Sequence, residues 1–447
     1  MEFRTHVVRF LIYLLIALKQ KLYLARNMTK RRDFLKIGAL AVPSILLDWN
    51  TAKASPQEIL RPGILNPKAD WSDIRDAFSL KKDLLFLNNG TMGPSPKTVT
   101  QAVIDSMEKV NSQAHYGGWA KTNKVIADYF GAQADEICLT HNVTEGINII
   151  AQGLPLKAGD EVIVSNQEHV GNALPWLSRA RRDKLTIKVL DLTLPKEKLL
   201  QTIEEMIGPK TRVIALPHIP CTNGRVIPAQ EIGEIAKRHS LYYFLDGAHG
   251  PGMLDLDFSQ MNCDFYATCT HKWMLGPKGT GFLFIRKDKL EDVTPVFAGA
   301  YSDTGWNLID GNPRIDGWAD NASRFFNGTQ NKALYDGVIE AVGFHKKLGK
   351  KNIASRIREL NDRLYNKLEA RDGIQLITPK NERAGIAAFT FNELDYIKFQ
   401  PFCVERNIII RVVPENEVNA VRVSTHIYNS FEEIDTFVAT LHDFLHG

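Results

Sequence analysis

The sequence predicts an α/β protein, with a large domain on a mostly parallel seven-stranded sheet followed by a smaller α+β C-terminal domain. Two patterns predict it. In the first part, helical stretches alternate with short β-rich runs, as in a parallel sheet with helical crossovers. From about Asn331 that alternation stops, and two long helical segments precede short strands. The composition agrees: 447 residues, 44% hydrophobic and 24% charged, suffice for two packed domains and are those of an ordinary globular protein, which excludes disorder and fibre.

Taken in order, the chain opens with Val7 to Leu18, an apolar run interrupted by Arg9 and shorter than the ~20 residues needed to cross a bilayer. No stable membrane anchor is expected from it. From Thr29 the chain reads Thr-Lys-Arg-Arg-Asp-Phe-Leu-Lys, then a modestly apolar run from Ile37 to Leu47 containing Gly38 and Pro43, then Ala52-Lys53-Ala54. Paired Arg31 and Arg32 with Phe34 and Leu35 behind them resemble a twin-arginine signal. The resemblance implies an extension and signal over residues 1–54, the twin-arginine translocase as a partner, and a periplasmic or extracytoplasmic location. Met28 stands directly before the signal, so translation is expected to begin there.

Residues 55–95 read as an N-terminal arm with a Pro-containing linker from Ser55 to Lys68. The large domain, residues 96–330, carries β-rich stretches at Glu161 to Ser165, Thr186 to Leu190, Arg212 to Ile219, Leu241 to Leu245, Asp264 to Thr270 and Gly281 to Arg286. The small domain, residues 331–447, begins with helical segments Lys332 to Leu348 and Asn352 to Ala370. Strands follow near Gly385 to Phe391, Ile408 to Val413 and Asn419 to Ser424.

The formal charge is +4, but residues 1–54 hold ten Lys/Arg against three Asp/Glu, which leaves −3 on the rest. No basic stripe interleaved with aromatics appears there, so no nucleic acid is expected as partner. Arg179, Arg181, Arg182 and Lys184 form the one tight basic cluster and read as a solvated helix end. Five cysteines, Cys138, Cys221, Cys263, Cys269 and Cys403, show no metal-ligand spacing, so no metal is expected and buried thiols are the default.

In open α/β sheets ligands sit at the carboxyl ends of strands, and the chemistry-bearing residues fall there. Ala267-Thr-Cys-Thr-His-Lys-Trp-Met-Leu-Gly-Pro-Lys-Gly-Thr-Gly places Lys272 directly after a strand, in a turn stiffened by Gly276, Pro277, Gly279 and Gly281. A lysine used as an amine nucleophile needs such a placement, partly desolvated and fixed in reach. Tyr242-Tyr-Phe-Leu-Asp-Gly-Ala-His ends a strand at Asp246, a carboxylate able to keep a ring nitrogen protonated. Thr140-His-Asn-Val-Thr-Glu-Gly opens a helix with Asn142 and Glu145 as a capping pair and Thr144 in its first turn, a donor set for an anion. Glu168-His169 follows another strand.

Together these motifs closely resemble the class V aminotransferase family, of the pyridoxal 5'-phosphate (PLP) transferase fold type I, from about Asn88-Asn89-Gly90 to the C-terminal helix. The resemblance implies PLP as cofactor, held as a Schiff base on Lys272, with Asp246 against its ring nitrogen and His169 flat on its ring. It implies a phosphate site at Val143, Thr144 and His271, and His249 at the phenolic oxygen; Cys269 falls where relatives often have Ser. Asn327-Gly328-Thr329 resembles the element by which one subunit reaches its partner's phosphate, so Thr329 implies a homodimer. Val421-Arg-Val-Ser-Thr-His-Ile-Tyr-Asn resembles the stretch whose arginine, here Arg422, clamps a substrate's α-carboxylate by bidentate bonds. Lys272, Asp246 and His169 are the catalytic set so implied, and the substrate is a small molecule of amino-acid type.

His-Lys-Trp, Asp-Gly-Ala-His, Leu174-Pro-Trp and Asn-Gly-Thr most resemble the isopenicillin N epimerase-like branch. The expected activity is therefore of aminotransferase or epimerase type at an α-carbon. The alternatives are a carbon–sulfur lyase or desulfurase-like enzyme, and an exported cofactor-free binding protein on the same fold. Desulfurases of this fold use a mobile Cys on a loop before the carboxylate-binding Arg, whereas Arg411-Val-Val-Pro-Glu-Asn-Glu-Val has none. Cys221 stands at or near a position where desulfurases carry Asn.

Overall fold

The computed structural model describes residues 71–447, the side chain of Ser72 apart. The twin-arginine signal, the start at Met28, the run Val7 to Leu18 and the linker Ser55 to Lys68 lie outside the described residues. Among the described residues no helix is long and apolar enough to cross a membrane.

The chain enters through a short 3-10 turn (Trp71–Ala77), strand β1 (Leu85–Phe86), helix α1 (Lys97–Gln113) and helix α2 (Ala120–Phe130). The alternating part follows: β2 (Ile137–Thr140), α3 (Val143–Gly153), β3 (Glu161–Ser165), α4 (Val170–Asp183), β4 (Thr186–Leu190), α5 (Lys196–Met206), β5 (Thr211–Pro217), α6 (Ala229–Arg238), β6 (Tyr242–Asp246), β7 (Phe265–Cys269) and β8 (Gly281–Ile285). These seven strands form one sheet in the order β2-β8-β7-β6-β5-β3-β4. Strand β8 runs antiparallel to both neighbours and the rest run parallel. The α/β class and the mostly parallel seven-stranded sheet are therefore as the sequence predicts. β2 is absent from the sequence reading: at four residues, all buried, it is too short to show a period.

A hairpin of β9 (Asp303–Asn307) and β10 (Arg314–Trp318) is also unforeseen, since its Gly305 and Gly317 and its exposed polar residues hide the alternation. Then come α7 (Lys332–Leu348), α8 (Lys350–Glu369), β11 (Ile374–Leu376), β12 (Ile386–Phe391), α9 (Tyr396–Val404), β13 (Ile408–Ile409), β14 (Arg411–Val413), β15 (Ala420–Ser424) and α10 (Phe431–His446). A four-stranded antiparallel sheet runs β11-β12-β15-β14. The single strand expected over Ile408 to Val413 divides, because β13 pairs with β1 of the N-terminal arm while β14 pairs with β15.

Apolar strands and helix faces bury three clusters. One fills both faces of the large sheet around residues such as Ile163, Ile214, Phe244 and Leu283. A second lies under the small sheet, with Leu360, Phe389, Phe399 and Phe437. The third joins Phe78, Trp273, Leu275, Phe344, Ile386 and Tyr428, so the turn that follows Lys272 is anchored by side chains from the arm, α7 and the small sheet.

One expectation is corrected. Arg181, Arg182 and Lys184 are exposed, but Arg179 is buried and not a solvated helix end. Its guanidinium donates to the carbonyls of Ala151, Gln152, Leu154 and Leu156 and pairs with Asp183. The last carbonyls of α3 have no partners within their own helix and carry partial negative charge, and this arginine satisfies both demands.

Candidate active site

The site lies where β3, β6 and β7 end. Asp246 closes β6, is buried, and accepts a hydrogen bond at Oδ1 from the Ala248 amide at 2.9 Å. Burial pushes its carboxyl up, while Lys272 draws it back down. The loop that follows can take its course only because it has glycines. A Cβ on Gly247 would sit 1.8 Å from the Tyr266 ring, and one on Gly250 would sit 2.0 Å from the Tyr266 hydroxyl. That backbone, laid against Tyr266, delivers His249.

His249 is buried, and its Nε2 is 3.5 Å from Lys272 Nζ. Desolvation, then Lys272 and Arg422, hold its imidazole well below the ordinary value. The Lys272 turn is closed on itself by the Thr270 amide on Thr280 O (3.0 Å) and the Gly276 amide on Thr270 O (2.8 Å). From the arm, the Gly93 amide donates to His271 O at 2.8 Å.

His169 caps α4, its Nδ1 accepting from the Gly171 amide at 3.0 Å. Desolvation first, then Lys272 and Arg411, lower its imidazole to about 4. Thr144, in the first turn of α3, meets the same spot: a Cβ on Gly171 would be 2.6 Å from Thr144 Oγ1 and 3.0 Å from His169 Nδ1. Asn142 Oδ1 accepts from the Glu145 amide at 3.0 Å, as expected of a cap. Glu145 reaches back one residue further than a capping box requires, to the amide of His141 at 2.6 Å. The first amides of α3, at Val143 and Thr144, point out of the helix end as such amides do.

Arg422 lies on β15, between β12 and β14, and is fully buried. It donates to Cys221 O (3.2 Å), Asn88 Oδ1 (3.2 Å) and Thr91 Oγ1 (2.8 Å), all neutral acceptors. Its Nε is buried without a partner. Burial pushes the guanidinium down to about 10, which leaves it charged at neutral pH. A buried cation held only by neutral groups is a receptor for an anion.

Lys272, Asp246, His249 and His169 are thus brought together, with Thr144 beside His169 and Arg422 close enough to lower both imidazoles; Val143 opens the helix that carries Thr144. Thr329 is exposed, and no described contact ties it to this cluster. Three features escaped the sequence reading. Glu168 is a buried carboxyl, pushed up to about 8 chiefly by desolvation, which accepts from Ser165 and Asn172. Arg411 pairs with Glu415, and Asn416 donates to Glu168 O at 3.1 Å. Trp273 donates to His249. The local partners of Glu168 and Arg411 lie three or four residues away, but burial of the carboxyl and the bonds from Asn416 and Trp273 depend on what the tertiary fold sets beside them.

The model of the Aminotransferase class-V family matches residues 91–437. The chain belongs to the class V aminotransferase family. Within it, the chain is 30% identical over 390 residues to isopenicillin N epimerase of Streptomyces clavuligerus, covering 83% of this chain and 98% of that one. It is 28% identical over 385 residues to a probable cysteine desulfurase of Staphylococcus aureus strain Mu50, covering 80% and 92%. Among solved structures it resembles C-DES with glycine covalently linked to its PLP cofactor, at TM-score 0.77 and 26% identity, covering 83% and 99%. It also resembles the cystine C-S lyase C-DES in complex with cysteine persulfide, at TM-score 0.75 and 26% identity, covering 81% and 98%.

The cofactor of this class V enzyme is pyridoxal 5'-phosphate, and its residues fit that group. His271 Nδ1 is buried without a partner, on the turn of a hairpin whose Gly281 packs on Thr140 and Asn142 before α3, so an unpaired ring nitrogen and a helix start with outward-facing amides suit a phosphate. Asp246 suits the ring nitrogen and Lys272 the aldehyde carbon.

Proposed function

We propose that this enzyme acts at the α-carbon of an amino acid, or of the amino-acid end of a peptide-like metabolite, as an aminotransferase or epimerase. The observation that carries the reading is the pairing of Lys272, 3.5 Å from His249, with a buried Arg422 that has no carboxylate partner among the described residues. Arg422 binds the substrate carboxylate through its fork. Asp246 would keep a proton on the ring nitrogen of the bound cofactor, and His169 would lie against its ring. When bound, PLP supplies an electron sink for the bond broken at the α-carbon. Lys272 is placed to take the α-proton and to return it, and where that proton is delivered separates epimerisation from transamination.

A second reading, a carbon–sulfur lyase acting by elimination, is favoured by the likeness to the cystine C-S lyase. A desulfurase that works through a mobile thiolate has less support. Residues 411–418 hold Glu415 paired with Arg411 and no cysteine, and burial pushes all five thiols up. The proposal also includes export by the twin-arginine route and a homodimer in which Thr329 completes the partner's phosphate site. Osmotic-shock fractionation and light scattering test these two.

The activity itself is tested by absorbance spectra of wild type and Lys272→Ala with a panel of L- and D-amino acids. The expected result is a visible cofactor band in wild type, shifted by particular amino acids and missing or displaced in the variant. Product analysis then separates a D-amino acid, or a 2-oxo acid that keeps the substrate's side chain, from the pyruvate, ammonia and persulfide of elimination. A wild type that stays colourless with PLP would overturn the proposal.

A further inference from the structure

We infer that Trp273 is a positioning residue whose indole N–H locks His249 in one tautomer, with Nε2–H turned toward Lys272 and the cofactor ring. The inference rests on the reading that Lys272 and His249 face the cofactor.

An indole nitrogen only donates. Trp273 Nε1 lies 3.0 Å from His249 Nδ1, so Nδ1 must accept. A neutral imidazole carries one N–H, which is thereby assigned to Nε2, the atom 3.5 Å from Lys272 Nζ, and the lysine nitrogen can accept that hydrogen bond only in the neutral form that a nucleophilic lysine needs. The same bond opposes a charged His249, because an imidazolium would set an Nδ1–H against the indole N–H. The indole therefore selects both the tautomer and the charge state.

The indole has little freedom to move. Trp273 is fully buried, and its ring stacks on His426 at 5.6 Å and 27°. His426 stacks in turn on Tyr428 at 5.6 Å and 8°. Trp273 O is 3.0 Å from His426 Nε2, and the Tyr428 hydroxyl donates to Asn89 Oδ1 at 3.0 Å. Backbone closes the other sides: a Cβ on Gly385 would be 2.7 Å from the indole, and one on Gly252 would be 2.3 Å from Trp273 O. The charged and titratable groups that face His249 are Lys272 on the neighbouring turn, Arg422 and Arg411 on the small sheet and His169 at the start of α4. All four oppose its protonation, and the indole adds the directional constraint that charge alone cannot.

The test compares the pH dependence of the visible band in holoenzyme, over about pH 5 to 9, which spans the range of histidine titration. Wild type is compared with Trp273→Phe, Trp273→benzothienylalanine (an isostere with sulfur in place of N–H) and Trp273→Phe with His249→Asn. The expected result is that the histidine transition, which desolvation and the neighbouring charges hold below the ordinary range, moves upward in both single variants and enters the acid end of the scan. The double variant lacks it. Cofactor-bearing variants that titrate like wild type, even with a lowered Tm, would show a packing role alone and overturn the inference. The isostere keeps the ring volume, so it decides the matter if Trp273→Phe fails to fold. A wild type without a visible band sinks the underlying reading instead, which is a distinguishable outcome.

Discussion

Arg411 and Arg422 stand directly opposite one another on neighbouring strands and project from the same face of the small sheet, yet their neutralisation differs. Arg411 has Glu415, whereas Arg422 is held by a carbonyl, an amide oxygen and a hydroxyl. Two buried or half-buried cations side by side are costly, so one is compensated by the protein and the other is left for a ligand.

Arg422→Lys keeps the charge and loses the fork. Amino-acid affinity, read by titrating the cofactor band, is expected to fall by about 10- to 100-fold, the weight of a charge-assisted bidentate pair. Unchanged affinity would mean that the carboxylate docks elsewhere.

Glu415→Gln removes the charge that compensates Arg411. Amino acids bearing a second, side-chain carboxylate should then bind about tenfold tighter relative to neutral ones, since a free guanidinium acquires them as partners. The same titration with glutamate and with glutamine reads the ratio. A ratio equal to that of wild type would place Arg411 outside the substrate's reach.

Glu168 gives a pH signature. Its folded carboxyl sits at about 8, above the ordinary 4.5, so the folded form keeps a proton that the unfolded chain releases between these values. Its contribution to stability is full below the unfolded value and is lost as pH rises through about 8. Glu168→Gln has no such proton to lose. The unfolding free energy of wild type minus that of the variant, read from denaturant melts, should fall steadily as pH rises from about 4.5 to 8, at most about 1.4 kcal/mol per pH unit. A difference independent of pH would contradict the buried, protonated state.

Gly250→Ala forces a methyl to 2.0 Å from the Tyr266 hydroxyl and 3.1 Å from His218 Nδ1. A loss of about 2–3 kcal/mol or more is expected from this overpacking, with weakened PLP binding because His249 is displaced. Gly299→Ala is the control, since its nearest new neighbour is 3.6 Å away. Differential denaturation and PLP titration of both variants check the pair.

Much of this was legible in the sequence. Helix α7 falls on its expected residues, and the strand ends carrying Asp246 and Lys272 fall within a residue or two, because long periodic or apolar runs declare themselves locally. β2 and the β9–β10 hairpin did not, being too short or too polar to show a period. Arg179 was misread for a related reason: three of its neighbours in sequence are exposed, and nothing local says that the fourth meets the end of α3. The candidate site divides in the same way. Lys272, Asp246 and His249 sit in motifs with their own turn chemistry. Trp273 matters through a partner 24 residues away, Glu168 through Asp246 and Asn416, 78 and 248 residues away, and Arg411 through a cross-strand pairing with Arg422, none of which periodicity can reveal.

Gly281 pairs with Cys269 on one side and with Thr140 on the other. A Cβ there would press on Thr268 O at 2.4 Å and on Asn142 at 3.2 Å. The hairpin bearing Lys272 and the helix start bearing Thr144 are therefore surveyed from a single benchmark. Any slip of β8 shifts both by the same step, so the spacing between the lysine and the anion-binding amides is kept by one strand instead of being set twice.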